Sequence, residues 1–196
     1  MARPRSAEAH RHVLDAALML FAERGIDATS MDAISEASGV SKATIYKHWS
    51  DKDALCLEVL AELSEDLPIF DSGDPRTDLI ALLNHRPPEK QPQMQSRMVP
   101  HLMAYACRNS SFGEAWRARV MEPPRVRLMQ ILKRAISDGQ LPHDLDLGLS
   151  VALLIGPMMY RHVLLMTKAK LPDEMPERVV NAFWKAYACK EKPRRR

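Results

Sequence analysis

The sequence predicts an all-α protein, with an N-terminal three-helix helix-turn-helix unit joined to a C-terminal helical bundle. Glycine is scarce, at seven of 196 residues, and runs of β-branched residues are few, so helices are favoured over strands. Apolar residues recur at helical spacing through most of the chain. Residues 29–55 (TSMDAISEASGVSKATIYKHWSDKDAL) read as two short helices joined by a glycine turn and followed by the capped start of another.

The N-terminal unit begins with a long amphipathic helix, predicted over residues 6–24. Leu14, Leu18 and Phe21 recur at the spacing of one helix face. Gly25 follows them. Because glycine adopts the left-handed conformation without a steric penalty, this residue predicts the end of the helix.

Polar residues mark the starts of the next three helices. Thr29 or Ser30 is expected to cap the second helix, Ser41 the third and Ser50 the fourth. A hydroxyl at such a position accepts a hydrogen bond from a free amide of the first turn. Gly39 ends the second helix and completes the turn before the third.

The rest of the chain is predicted to form six further helices. Pro100 is expected to start or kink one of them, Gly156-Pro157 to bend another, and Asp144 or Asp146 to cap that apolar helix. The approximate bounds are residues 77–85, 96–107, 114–121, 123–139, 146–166 and 173–189. The predicted organisation is therefore a helix-turn-helix domain over 6–66, a helical domain over 67–189 and a basic tail over 190–196.

The net charge of +3 does not by itself indicate nucleic-acid binding. Residues 190–196 hold five basic side chains and one acid, which gives +4 and leaves −1 for the preceding chain. The distribution of charge within the helix-turn-helix is more informative. Between residues 36 and 51 there is no acid, whereas Lys42, Lys47 and His48 are present.

Other function classes lack their usual patterns. Cys56, Cys107 and Cys189 form no CxxC pair, so reduced thiols in a cytoplasmic protein are expected. Residues 1–6 lack the apolar core of a signal peptide, and charge and proline in the apolar stretch 149–166 favour a buried helix over a membrane span. No HExxH or ExxH spacing occurs, so no metal site, catalytic site or cofactor is predicted.

The third helix carries a face suited to a DNA major groove. If Ile45 points inward, a rotation of about 100° per residue places Trp49 near the same side, and Ala43 and Lys47 almost directly outward. The small side chain of Ala43 permits close approach and can contact a thymine methyl group. Thr44 can hydrogen-bond a base edge or a phosphate.

Basic and hydroxyl-bearing neighbours of this face are expected to contact phosphates, which position a protein on DNA without specifying the sequence. Lys52 lies in the first turn of the fourth helix, where its charge and the free amides can hold a phosphate together. The candidate DNA-binding residues are Ser30, Ser41, Lys42, Ala43, Thr44, Tyr46, Lys47, His48 and Lys52. The alternative is a short helical protein with ordinary caps and a few surface lysines.

A longer pattern over residues 10–55 contains this face. It consists of Phe21, Gly25, Ser30, Ile34, Gly39-Val40-Ser41, Thr44, Tyr46, Trp49, Lys52 and Leu55. The pattern resembles the DNA-binding domain of the TetR family of transcriptional repressors. It departs mildly from that family at three positions, because Ser35 and Ser38 stand where alanine is usual, and Trp49 stands where phenylalanine is commonest.

The C-terminal part resembles one class of regulatory domains in that family, through Arg134-Ala135, Gly139, Leu141, Asp146 and residues 156–161. This resemblance implies an all-helical domain for ligand binding and dimerisation. It further implies a dimer that binds a palindromic operator and is released by a small apolar or amphipathic inducer. Ligand binding would shift the fourth helix and change the separation of the two recognition helices.

Two sets of residues in the C-terminal part are functional candidates, and for both the alternative is the core of a single chain. Flexible thioethers with a few polar groups suit an adaptable apolar pocket. The predicted pocket residues are Met98, His101, Met103, Tyr105, Trp116, Met159, Tyr160 and His162. The last two long helices are predicted to pair across a two-fold axis, through Leu149, Leu153, Met159, Val163, Val180, Phe183, Trp184 and Tyr187.

The resemblance, together with these patterns, implies a cytoplasmic, ligand-responsive transcriptional regulator, and specifically a repressor. Its expected partners are double-stranded operator DNA, a second copy of itself and a small-molecule inducer, with no membrane. The alternative is a helical ligand-binding protein or an enzyme whose DNA-binding head is not used. The intact caps, glycine turn and outward face of the third helix argue against that alternative.

Overall fold

The structure, a computed structural model, describes residues 3–62, 67–85, 92–161 and 174–189. Within these ranges the chain forms helices and connecting turns, with no strand. The predicted all-α class is therefore confirmed.

Ten α-helices and one π-helical turn follow one another along these ranges. They are α1 (Arg3–Arg24), α2 (Met31–Ser38), α3 (Lys42–His48), α4 (Lys52–Glu62), α5 (Pro75–Asn84), α6 (Pro92–Arg108), α7 (Ser110–Trp116), the π-helical turn (Arg117–Met121), α8 (Glu122–Ser137), α9 (Leu147–Met159) and α10 (Met175–Tyr187).

The turns between the first helices follow from glycines and hydroxyl caps, as the sequence predicts. Gly25 ends α1 with φ 84°, and Gly39 ends α2 with φ 69°. Ser30 caps α2 by accepting a hydrogen bond from Ala33 N at 3.1 Å. Thr29 is buried instead, and its hydroxyl donates to the carbonyl oxygen of Gly25 at 2.8 Å.

The predicted cap of α4 was wrong by one residue. Asp51, not Ser50, accepts the hydrogen bond from Ala54 N, at 2.8 Å from its Oδ1. Ser50 donates its hydroxyl to the same carboxylate. These hydrogen bonds from Ala54 and Ser50 lower the pKa of Asp51, which keeps the carboxylate charged at a helix N-terminus.

One compact unit comprises α1 to α4, α6, α7 and the π-helical turn. Phe21, Ile34, Ile45, Leu55 and Met98 are among the fully buried side chains of its core. Helix α6 packs along α1. The compact unit therefore includes residues 87–122 in addition to the N-terminal helices, whereas the predicted domains were the contiguous segments 6–66 and 67–189.

The second compact unit comprises α5 and α8 to α10. Its core contains Leu79, Leu132, Leu154 and Val180, all fully buried. Asp146 caps α9 by accepting from Leu149 N at 3.0 Å, which settles the choice between the two aspartates. None of the described helices is both long and apolar enough to cross a membrane.

A buried acid lies inside the second unit. Asp78 has only 2% of its surface exposed and accepts hydrogen bonds from Ser72 N at 2.9 Å and from Arg134 Nη2 at 2.6 Å. Arg134 also pairs with Asp71. Burial alone would raise the pKa of Asp78, but the hydrogen bonds from Ser72 and Arg134 outweigh it and lower that pKa.

Candidate nucleic-acid interface

Helix α3 presents the face that its sequence predicts. It is seven residues long and is anchored from behind by Ile45 and Trp49, which are 1% and 2% exposed. Ala43 and Lys47 lie on the exposed side. Tyr46 is 51% exposed, so its phenol is accessible to a partner on this side of the helix.

The first turn of α3 is held by hydroxyl groups. Ser41 caps the helix and accepts a hydrogen bond from Thr44 N at 3.3 Å. The hydroxyls of Ser41 and Thr44 are also 2.9 Å apart and bonded to each other. The Thr44 side chain is half-buried, and the bond to Ser41 holds its hydroxyl in place on the first turn.

The basic residues near α3 differ in what they contact. Lys42 forms an ion pair with Asp32 of α2 at 2.6 Å, so part of its charge is already balanced. Lys47 and His48 are exposed in the last turn. The ion pair between Asp32 and Lys42 was not predicted from the sequence.

Lys52 occupies the first turn of α4, as predicted. Its ammonium group lies 3.4 Å from the carbonyl oxygen of Asp27 and 5.8 Å from the centre of the Tyr105 ring. The side chain is half-buried, so these two contacts restrict where its charge can reach.

Helix α6 contacts the turns that support α3. The Tyr105 hydroxyl donates to Asp53 Oδ1 at 2.7 Å, and Arg108 pairs with Asp27. The His101 ring lies beside Gly25, where a Cβ atom would come within 3.0 Å of its Nδ1. Burial, together with the Asp53 carboxylate, raises the pKa of Tyr105, so the phenol stays protonated and donates.

The predicted pocket residues do not gather into one described site. Met98 and Tyr105 belong to the core of the first unit, where Trp116 is half-buried and its Nε1 has no partner among the described residues. Met103 is half-buried and His101 is exposed in the same unit, whereas Met159 and Tyr160 belong to the second. His162 lies outside the described residues. The ligand pocket therefore stays a prediction.

A cavity of about 460 Å³ lies in the second unit, and none of the predicted pocket residues lines it. Its walls combine aliphatic, aromatic and basic side chains, contributed by the segment before α5 and by one face of α8. They are Pro68, Ile69, Phe70, Asp71, Arg127, Gln130, Ile131, Lys133, Arg134 and Ser137. The sequence carries no signal for it, because the two segments are about 60 residues apart.

The predicted dimer residues differ in how far they are exposed. Leu149 and Leu153 of α9 are 51% and 42% exposed, so they can pack against a partner. Val180 and Phe183 are buried in the core of their own unit, which corrects their assignment to the interface. Trp184, Tyr187 and Met159 are half-buried, and Val163 lies outside the described residues.

The described residues contain no group of three or more His, Cys, Asp or Glu side chains placed to hold a metal ion. Three free thiols are present, with Cys56 buried and Cys107 and Cys189 exposed. Burial raises the pKa of the Cys56 thiol, which makes it unreactive.

Sequence comparison matches both parts of the chain to known families. Residues 13–59 match bacterial regulatory proteins of the tetR family, and residues 69–183 match a tetracyclin repressor-like C-terminal domain. The helix-turn-helix-type transcriptional regulator YdeS of Bacillus subtilis is 32% identical over 183 residues, which cover 92% of this chain and 91% of YdeS.

Solved structures with the same fold include a TetR-family transcriptional regulator from Mesorhizobium loti MAFF303099. It has a TM-score of 0.67 at 24% identity, over 95% of this chain and 100% of that one. The flavonoid-responsive regulator FrrA has a TM-score of 0.64 at 25% identity, over 96% of this chain and 100% of FrrA.

Proposed function

Because this chain belongs to the TetR family of transcriptional regulators, we propose that it is a cytoplasmic repressor that binds a palindromic operator as a homodimer and is released by a small-molecule inducer. Family membership makes it a DNA-binding transcriptional regulator and not an enzyme. The observation that carries the DNA-binding part of the proposal is the exposed face of α3, anchored from behind by Ile45 and Trp49.

On this proposal α3 enters the major groove with Ala43 and Lys47 foremost. Ala43 offers a methyl group at the point of closest approach, and Thr44 offers a hydroxyl to a base edge or a phosphate. The contacts to phosphates come from the surrounding polar groups, which set register and orientation. They are Ser30, Ser41, Lys42, Tyr46, Lys47, His48 and Lys52.

Dimerisation gives the operator its symmetry. Two copies of α3 related by a two-fold axis read half-sites about 34 Å apart, which is one turn of the duplex. The exposed leucines of α9, Leu149 and Leu153, supply apolar surface for this contact.

Inducer release requires a route from the ligand to α3. The contacts of α6 with Asp53, Asp27 and Gly25 supply one within the first unit, because they hold both α4 and the turn after α1. A ligand that prefers a different position of α6 or α4 by about 1–3 kcal/mol would lower operator affinity. That FrrA is described as flavonoid-responsive supports a small amphipathic inducer of this kind.

The proposal is tested with duplexes that the wild-type protein selects from a random library. We expect Tyr46→Ala and Lys47→Ala each to weaken binding of the selected duplex roughly tenfold in a band-shift assay, because each removes one contact per half-site. Lys185→Ala, an exposed lysine of α10 in the second unit, is the control and should bind like wild type. Unchanged binding by both α3 variants would contradict the proposed interface.

A further inference from the structure

A cluster of polar and aromatic side chains joins three helices at the C-terminal end of α3. The Trp49 indole Nε1 donates to Glu58 Oε2 of α4 at 2.6 Å. The other carboxylate oxygen of Glu58 lies 2.8 Å from His10 Nε2 of α1. One carboxylate therefore connects the residue that ends α3 with both helices behind it.

Aromatic rings also contact one another within this cluster. The His10 ring lies against the Trp49 indole, with centroids 4.7 Å apart and planes tilted by 31°. His48, the last residue of α3, approaches the edge of His10 at 5.6 Å and Trp49 at 5.5 Å. We call His10, Trp49 and Glu58 the carboxylate clamp.

We infer that Glu58 is a positioning residue for DNA reading, because the carboxylate clamp fixes the rotation of α3 about its own axis. This inference rests on α3 being the helix that contacts DNA, as proposed above. The DNA-facing residues are not members of the clamp, so Glu58 acts on them only through Trp49 and His10.

The geometry of α3 explains why such a device matters. The helix has only seven residues, so its own hydrogen bonds hold it weakly. The apolar contacts of Ile45 and Trp49 keep it on the core, but apolar contact is not directional. A short hydrogen bond to a charged acceptor is directional, and it decides which way Ala43 and Lys47 point.

The hydrogen bond of the clamp needs a tryptophan at position 49, because its donor is the indole N–H. A phenylalanine ring would fill much of the same space without an N–H donor. Glu58 is partly exposed, at 40% of its side chain, so its charge costs little to retain.

Four variants separate positioning from packing and from charge. Trp49→Phe removes the donor and keeps an aromatic ring, whereas Glu58→Ala removes the acceptor. Glu58→Gln is the matched control for charge, because it loses the same negative charge as Glu58→Ala. Its amide oxygen can still accept from the indole, and its amide nitrogen can donate to a neutral His10 Nε2. The Trp49→Phe/Glu58→Ala double variant tests whether the two residues act through one bond.

We expect Trp49→Phe and Glu58→Ala each to weaken binding of the selected duplex roughly tenfold, as for loss of one charged hydrogen bond, with binding of an unselected duplex little changed. The double variant should be no weaker than Glu58→Ala, since that change already removes the bond to Trp49 together with the contact to His10. Glu58→Gln should recover most of the lost affinity. Loss of a negative charge alone would strengthen DNA binding, so weakening by Glu58→Ala cannot come from charge.

A spectroscopic measurement on the free protein tests the bond independently of DNA. The three tryptophan indole N–H groups are observed in a ¹H–¹⁵N spectrum, and Trp49→Phe identifies the signal of Trp49. We expect that signal to move upfield and lose protection from exchange in Glu58→Ala, and to stay near its wild-type position in Glu58→Gln.

Three results would overturn the inference. They are losses of DNA affinity that add in the double variant, wild-type affinity in Trp49→Phe, or a Trp49 indole signal that does not change in Glu58→Ala. If the wild-type protein selects no duplex, the repressor proposal fails, and the positioning role fails with it. The indole signal would still show in that case whether the clamp exists.

Discussion

At the scale of single residues, the effect of each charged side chain depends on its ion-pair partners and its burial. Lys42 and Lys47 belong to the same short helix, yet Lys42 is paired with Asp32, whereas Lys47 stands exposed in the last turn. In the second unit, Asp78 and Asp71 both pair with Arg134, but only Asp78 is buried.

This contrast yields a prediction about stability. Asp78→Asn should lower the free energy of unfolding by about 2 kcal/mol at pH 7, because it leaves Arg134 without its buried partner. Asp71→Asn is the matched control, and its carboxylate is 70% exposed, so its loss should change stability by less than about 1 kcal/mol. Urea unfolding of both variants gives the two values.

The pH dependence follows from the same group. Since the pKa of Asp78 is lower in the folded protein than in the unfolded chain, its carboxylate contributes stability above the unfolded pKa, near 4. That contribution is lost as the pH falls through the folded pKa. Asp78→Asn should therefore unfold with less dependence on pH below about 4 than the wild-type protein. Equal slopes for the two would show that the Asp78 carboxylate is not responsible.

At the scale of helices, the sequence predicts local features well. The glycine turns, the Ser30 and Ser41 caps and the outward face of α3 all follow from hydrogen bonding and helical periodicity between near neighbours. The Ser50 assignment failed only because Asp51, one residue later, offers a stronger acceptor for the same amide.

Contacts between distant segments were not predictable in the same way. Glu58 meets Trp49 and His10, and Tyr105 meets Asp53, across sequence separations that periodicity does not constrain. Helical periodicity also cannot distinguish a face buried in its own chain from one left for a partner. Val180 and Phe183 were assigned to the dimer for that reason, although they are core residues.

One contact between helices can be tested through backbone geometry. Gly25 and Gly39 both have positive φ, so alanine at either should cost about 1 kcal/mol or more. Only Gly25 has a neighbour, the His101 ring of α6, within reach of an added Cβ. Gly25→Ala should therefore lower the melting temperature more than Gly39→Ala.

The double variant Gly25→Ala/His101→Ala separates the two causes. Removing the His101 ring should recover the part of the loss that comes from crowding and leave the part that comes from the backbone. If the losses of stability in Gly25→Ala and His101→Ala simply add in the double variant, then crowding by the His101 ring does not contribute to the effect of Gly25→Ala.

At the scale of the whole molecule, the proposed repressor needs two copies of α3 presented together. The family supplies the DNA-binding role, and the exposed Leu149 and Leu153 supply the surface on which we place the dimer contact. Leu149→Asp/Leu153→Asp should give a monomer by sedimentation equilibrium, because charge cannot be buried without a partner. Ile69→Asp, at a residue that is 72% exposed elsewhere in the same unit, should leave the oligomeric state unchanged.

The reading of DNA by paired α3 helices is tested most directly by a hydroxyl-radical footprint of the selected duplex. The wild-type protein should protect two symmetry-related stretches on one face, centred about 34 Å apart. Lys47→Ala should weaken both stretches equally. A single unsymmetrical protected stretch, or a footprint that persists unchanged in Lys47→Ala, would contradict the proposed mode of binding.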